Sequence, residues 1–134
     1  MKCYYFYLIM LCLSFVTMIK HRRAFLNNFA ETCEDIGLDG SLLKANCRNA
    51  EGKYTQTFID LNNEITNNNG QLEWNNNGGY TKSCDFCYLA QFSIRCQCYT
   101  PNGFLNQESG VNFWPVRNYY GNLQVKLDYL IIKD

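Results

Sequence analysis

Between Cys33 and Cys47 the chain reads "CEDIGLDGSLLKANC", alternating polar and apolar positions in the pattern of an antiparallel hairpin. Residues that face one another across such a hairpin have numbers with a constant sum. Ile36 with Ala45 and Leu38 with Leu43 share 81; in a second segment, "CDFCYLAQFSIRCQC", Cys87 with Cys96 and Leu89 with Ile94 share 183. These pairs are predicted to face inward. The outer cysteines sum to 80 and 182, one short of that register in both segments, which predicts a bulge or irregular strand start just after Cys33 and Cys84. Downstream of each hairpin come a glycine turn, a β-run, a short polar helical turn, then an Asn/Gly turn into a last strand. In "NAEGKYTQTFIDLNNEITNNNGQLEW" the Asn69-Gly70 pair is a strong two-residue hairpin signal, and Asp60 suits the cap of the polar turn that follows it. The second version, "TPNGFLNQESGVNFWPVRNYYGNLQV", is looser: Phe113 aligns with Leu61 only after a one-residue shift, and Pro115 falls where the first has Asn63 or Glu64. The expected fold is all-β, with antiparallel strands, hairpins and one or two short 3₁₀ turns per unit, and no long helix.

The two segments belong to an internal repeat. A shift of 51 residues superimposes Thr32 on Ser83, Cys33 on Cys84, Leu38 on Leu89, Cys47 on Cys98, Gly52 on Gly103, Gly70 on Gly121 and Leu72 on Leu123. A constant offset carrying a ladder of cysteines and glycines marks two copies of one structural unit. We divide the chain into residues 1–19, 20–26 and a domain at 27–130, with repeat one at 27–77 and repeat two at 78–128.

The cysteines change the picture next. Eight are present, and Cys3 and Cys12 lie in the apolar opening run "MKCYYFYLIMLCLSFVTMI", which reads as a secretory leader followed by the basic linker "KHRR". The remaining six form an even set, the mark of a disulfide framework in an exported chain. The repeat register pairs Cys33 with Cys47 and Cys84 with Cys98, and it sets Cys87 opposite Cys96 for a third bridge. A tetrahedral zinc held by the clustered thiolates of 84–98 in an intracellular domain is the alternative.

Charge narrows the partners. Of 12 Lys and Arg, four precede residue 24, so the remainder carries eight basic against 12 acidic side chains, net −4. Tracking phosphates normally needs a basic excess, which argues against nucleic acid. The single histidine, His21, precedes the domain, so a triad of the Ser-His-Asp or Cys-His kind has no base. Asp60 and Glu64 are the nearest thing to a glycosidase pair, and the capping role explains Asp60 better. No enzyme is expected. Seventeen asparagines crowd segments such as "NNEITNNNG", mostly as turn formers, and no Asn-x-Ser/Thr acceptor for glycans occurs. Trp74 alternates in phase with Leu72 and is expected in the core, while Trp114 beside Pro115 is left open.

Taken together, "NFAETC", "LDGSLLKANC", "FIDLNNEITNNNGQLEW" and the second cysteine hairpin resemble the cyanovirin-N family over residues 27 to about 127. The resemblance implies a pseudo-symmetric all-β lectin whose two lobes each combine segments of both repeats. It implies binding of mannose-rich oligosaccharides in shallow end pockets, without metal or cofactor. Carried over residue by residue, the first pocket would comprise Asn28, Glu31, Thr32, Arg48, Asn49, Asn118 and Tyr120. The second would comprise Thr66, Asn67, Asn69, Lys82, Ser83, Tyr99 and Thr100. Amides and hydroxyls both donate and accept, as sugar hydroxyls do. Family acidic positions are occupied here by Lys82, Asn69 and Tyr120, so an extracellular structural or protein-interaction module that has lost sugar binding is the competing expectation. The expected partners are oligosaccharides or glycoproteins, with no membrane once the leader is removed, and the expected state is a monomer or a domain-swapped dimer hinged near 75–79.

Overall fold

A computed structural model describes residues 29–127. The expected leader (1–19), the expected linker (20–26) and Asn28 lie outside the described residues. Ten strands follow a single-turn helix α1 (Phe29–Thr32): β1 (Cys33–Asp39), β2 (Leu42–Arg48), β3 (Tyr54–Asp60), β4 (Ile65–Asn68), β5 (Gln71–Trp74), β6 (Cys84–Ala90), β7 (Ser93–Tyr99), β8 (Leu105–Asn112), β9 (Val116–Tyr119) and β10 (Asn122–Val125). Short 3₁₀ turns occupy Leu61–Asn63 and Tyr80–Lys82.

The strands form two three-stranded antiparallel sheets, β1-β2-β3 and β6-β7-β8, and two hairpins, β4-β5 and β9-β10. Each hairpin leaves its own repeat: β10 packs on β3 and β5 packs on β8. The first lobe is therefore the first sheet with the second repeat's hairpin and α1, and the second lobe is its mirror in sequence. Two buried hydroxyls make the exchange specific. The Leu123 N–H donates to Thr57 Oγ1 at 3.0 Å, and the Leu72 N–H donates to Ser109 Oγ at 2.6 Å. An unpaired buried amide costs about 1–3 kcal/mol, so each hydroxyl holds a foreign strand in register.

The hairpin register is as expected. Cys33 faces Cys47 and Leu38 faces Leu43, with the irregularity between Glu34 and Gly37; Cys84 faces Cys98 and Leu89 faces Ile94, with the irregularity between Asp85 and Tyr88. At the bulges Asp35 and Phe86, 51 residues apart, adopt φ of 51° and 53°. All three disulfides are formed, Cys33–Cys47, Cys84–Cys98 and Cys87–Cys96. The zinc alternative fails on that point, because a disulfide sulfur is no longer a thiolate ligand.

The one-residue slip of repeat two has a local origin. β2 and β3 pair without interruption, whereas β8 inserts a bulge residue: Cys96 faces Ser109, yet Cys98 faces Asn106. The turn before β9 is shorter by one residue, since the Val116 N–H reaches the Phe113 carbonyl where the Glu64 N–H reaches Leu61 with Ile65 still to follow. Insertion and deletion cancel, and the offset of 51 returns at Val116. This corrects one expectation: the second polar helical turn is absent, because Phe113-Trp114-Pro115 makes a tight turn where the first repeat has the 3₁₀ turn capped by Asp60 Oδ1 on the Asn62 N–H at 3.0 Å.

Phe113 joins the lobes. Its ring meets Phe29 edge-on at 6.3 Å and Trp74 at 6.4 Å, and all three belong to the packed interior, Trp74 at its margin. The indole N–H of Trp74 donates to the Asn112 carbonyl at 2.7 Å, so its polar tip is satisfied.

Candidate functional site

At the end of the first lobe, the β9-β10 tip rests on the end of the first sheet. Tyr120 and Gly121 take φ of 50° and 93°, closing a two-residue turn. Asn118 locks it: its amide donates to Thr32 Oγ1 and to the Arg48 carbonyl, both at 3.0 Å, and its carbonyl accepts the Gly121 N–H at 2.8 Å. Thr55 Oγ1 donates to the Gly121 carbonyl at 3.2 Å. A Cβ on Gly121 would stand 2.6 Å from Thr55 Oγ1 and 3.0 Å from Asn49 Cβ, so only glycine lets the tip sit this close.

The second lobe repeats this lock bond for bond. Asn67 donates to Ser83 Oγ at 2.7 Å and to the Tyr99 carbonyl at 2.8 Å, and accepts the Gly70 N–H at 2.8 Å. Asn106, standing where Thr55 stands, donates to the Gly70 carbonyl at 2.8 Å. Asn69 and Gly70 carry the matching positive φ of 53° and 89°.

The predicted residues thus divide by what they touch. The structure brings Thr32, Arg48, Asn49, Asn118 and Tyr120 together at one end, and Asn67, Asn69, Ser83, Tyr99 and Thr100 at the other. Both amide donors of Asn118 and of Asn67 are committed to the chain, so these residues shape the rim. Asn49 Oδ1 accepts the Glu51 and Lys53 N–H groups, each at 3.0 Å, and Thr100 Oγ1 accepts the Phe104 N–H at 3.0 Å. Thr66 Oγ1 donates to the Gly78 carbonyl at 3.0 Å and serves the loop between the repeats. Glu31, Arg48, Tyr120, Asn69, Lys82 and Tyr99 are the exposed members, available to a ligand.

Sequence reasoning missed several rim residues. Tyr119 is exposed and its ring meets Tyr120 edge-to-face with centroids 4.9 Å apart. Tyr54 receives the Arg48 Nε–H on its hydroxyl at 3.0 Å, with the guanidinium carbon 5.3 Å from the ring centre. In the second lobe Phe104 and Leu105 are exposed beside Tyr99. The signal was available in the repeat offset, which equates Tyr119 with Asn68, Lys53 with Phe104 and Tyr54 with Leu105.

Both ends are open rims. A cleft of about 650 Å³ lies elsewhere, lined by Leu38, Ser41, Thr81, Asp85, Phe86 and Tyr88 among others, and none of the candidate sugar-binding residues borders it. Among the described residues no group of three or more His, Cys, Asp or Glu is placed to hold a metal ion.

A family model described as the CVNH domain matches residues 29–124. The chain belongs to the CVNH family. A cyanovirin-N homolog from Tuber borchii is 29% identical over 86 residues, covering 63% of this chain and 82% of that protein. The solved T. borchii CVNH structure superposes with a TM-score of 0.66 at 26% identity, covering 73% of this chain and 98% of that one. Two further CVNH-fold structures were solved with sugars. A MoCVNH3 variant in complex with (N-GlcNAc)4 has a TM-score of 0.68 at 20% identity, covering 75% and 98% of the two chains. Microvirin with mannobiose has a TM-score of 0.65 at 24% identity, covering 75% and 99%. CVNH proteins are lectins, and the family supports carbohydrate binding as the activity of this chain.

Proposed function

We propose that this CVNH protein is a secreted lectin that binds oligosaccharides or glycoproteins, mannose-rich ones among them, through two shallow, metal-free rims at opposite ends of the molecule, with no catalytic role. The observation that carries the reading is the duplicated asparagine lock, which holds a foreign hairpin tip against each sheet end and so sets Tyr120 of one tip by Arg48 and Asn69 of the other by Tyr99. Preorganised rims bind without first ordering loops, which favours affinity in a small shallow site. The mannobiose and (N-GlcNAc)4 complexes of CVNH-fold relatives support a saccharide as the ligand class. Three disulfides in a chain this short support an oxidising, extracellular destination.

A monomer or a dimer exchanging repeats at 75–79 fits the fold. The hinge docks tightly, with the Gly79 N–H on the Asn62 carbonyl at 2.7 Å and no room for a Cβ at Gly78, 2.2 Å from that same oxygen. One observation favours a second reading, a module that kept the fold without sugar binding: Lys82 and Tyr120 stand at positions the resemblance makes acidic, removing carboxylates that accept paired hydroxyls. A glycan array on the purified protein decides. Binding to mannose-rich structures supports the lectin, and silence across all oligosaccharides sinks it.

A further inference from the structure

The hairpin tips differ sharply between the two lobes. Asn68-Asn69 in one becomes Tyr119-Tyr120 in the other, and Tyr119 and Tyr120 are 55% and 65% exposed. The two rings lie edge-to-face, and their exposure leaves ring surface open to a ligand. They are not carried on a loose loop. Asn118, Thr55 and the close seat of Gly121 on Asn49 fix the tip against the sheet, so little freedom is left to lose on binding.

We infer that Tyr119 and Tyr120 make the first rim a stacking platform selective for β-linked sugars whose ring substituents are all equatorial, such as chains of β-linked N-acetylglucosamine or glucose, over α-linked mannose. The inference rests on the lectin reading and assigns one rim its own sugar class. Its physical basis is the shape of the pyranose. A β-linked gluco-configured ring projects every oxygen outward, leaving both faces clad in C–H groups that lie flat on an aromatic ring. An α-linked mannose carries an axial oxygen on each face, O1 on one and O2 on the other. Either oxygen props the ring away from the platform and loses water without gaining a partner. The Asn68-Asn69 tip of the second rim offers amides and no ring, and that rim's exposed rings, Tyr99 and Phe104, stand on the sheet end instead of the tip.

The test is an NMR titration of the full-length protein with N,N′,N″-triacetylchitotriose and with α1,2-mannobiose. Chitotriose is expected to shift the amides of residues 118–121 and to bind the first rim about tenfold tighter than mannobiose does. Converting the tip to its twin, Tyr119→Asn with Tyr120→Asn, should lower chitotriose affinity by about tenfold while leaving the dispersed spectrum of a folded chain. The reciprocal change, Asn68→Tyr with Asn69→Tyr, should raise chitotriose affinity at the second rim. Phe58→Ala, an exposed ring on the outer face of β3, should change neither sugar. Mannobiose binding the first rim as tightly as chitotriose, no chitotriose shift at all, or indifference of chitotriose to the tyrosine pair overturns the inference. A positive glycan array beside any of those outcomes leaves the lectin standing; a silent array brings both down.

Discussion

The two lobes share a backbone plan and place their apolar surface on opposite walls. In the first lobe the hairpin tip carries the rings of Tyr119 and Tyr120, while the sheet end carries Arg48, Lys53 and Tyr54. In the second the tip is Asn68-Asn69, and the sheet end carries Tyr99, Phe104 and Leu105. What stays constant is the set of atoms that seat the tip: one asparagine, one hydroxyl before the cysteine, one strand carbonyl, one turn glycine. The lesson is that duplication preserved the clamp and left the clamped surface to diverge.

The largest test of that symmetry is covalent. The first hairpin has one bridge and the second has two nested ones, so Cys33→Ala with Cys47→Ala should destabilise by about 3–4 kcal/mol, the usual range for a loop of this size. Cys87→Ala with Cys96→Ala should cost less, because Cys84–Cys98 still closes the loop around it. Urea midpoints compare them, and equal losses would show that the inner bridge carries weight of its own.

Next in size are Asn118→Ala and Asn67→Ala, each expected to cost about 2–3 kcal/mol by stranding the groups the amide satisfied. Matching losses in thermal unfolding are expected if the clamps are equivalent. A variant that kept full stability while losing sugar binding would instead make that asparagine a ligand contact.

Smaller still are the buried hydroxyls. Ser109→Ala should cost about 2 kcal/mol, since it strands the Leu72 N–H at a fully buried position; Thr57→Val, which keeps the volume and sits slightly nearer the surface, should cost about 1 kcal/mol. Hydrogen exchange at the Leu72 and Leu123 amides reads each directly. Protection unchanged in both variants would mean that the foreign hairpins are held by packing alone.

The smallest contrast at neutral pH is between Phe29 and its repeat mate Tyr80, equally buried. Burial first, then the nearby Asp60 carboxylate, pushes the Tyr80 phenol up from 10.0 to about 12. The folded state therefore holds that proton more tightly than the unfolded chain does. Its contribution is complete below about pH 10 and is lost as pH rises toward about 12. Tyr80→Phe should flatten that alkaline decline, and an unchanged slope in urea midpoints would remove Tyr80 as its cause.

Much of this architecture was legible in the chain. Two-residue alternation, constant-sum pairs and the offset of 51 specified the hairpins, their bulges and all three disulfides, because strand register and sulfur reach are short-range constraints written into spacing. The one-residue slip at Phe113 was visible too, but its cause was not. Whether a surplus residue becomes a bulge in β8 or a longer turn depends on which partner strand holds it. The candidate rims were legible as a set of positions and illegible as roles. Asn118 and Asn67 were legible as candidate contacts, and only the tertiary structure showed that their amide donors hold the clamp; Tyr119 was passed over because nothing local distinguishes an exposed ring from a buried one.

The chain by itself determined the strands, the pairing of cysteines and the twofold plan, all set by neighbours within one repeat. That each hairpin crosses to the other repeat's sheet was implied by the family resemblance alone, and only the tertiary structure supplied the contacts that seat it and so gave each rim residue its role. That crossing is made by contacts between the repeats, 66 to 86 residues apart in the first lobe (Thr57 to Leu123, Thr32 to Asn118) and 16 to 37 in the second (Ser83 to Asn67, Ser109 to Leu72), whose geometry no periodicity within a strand encodes.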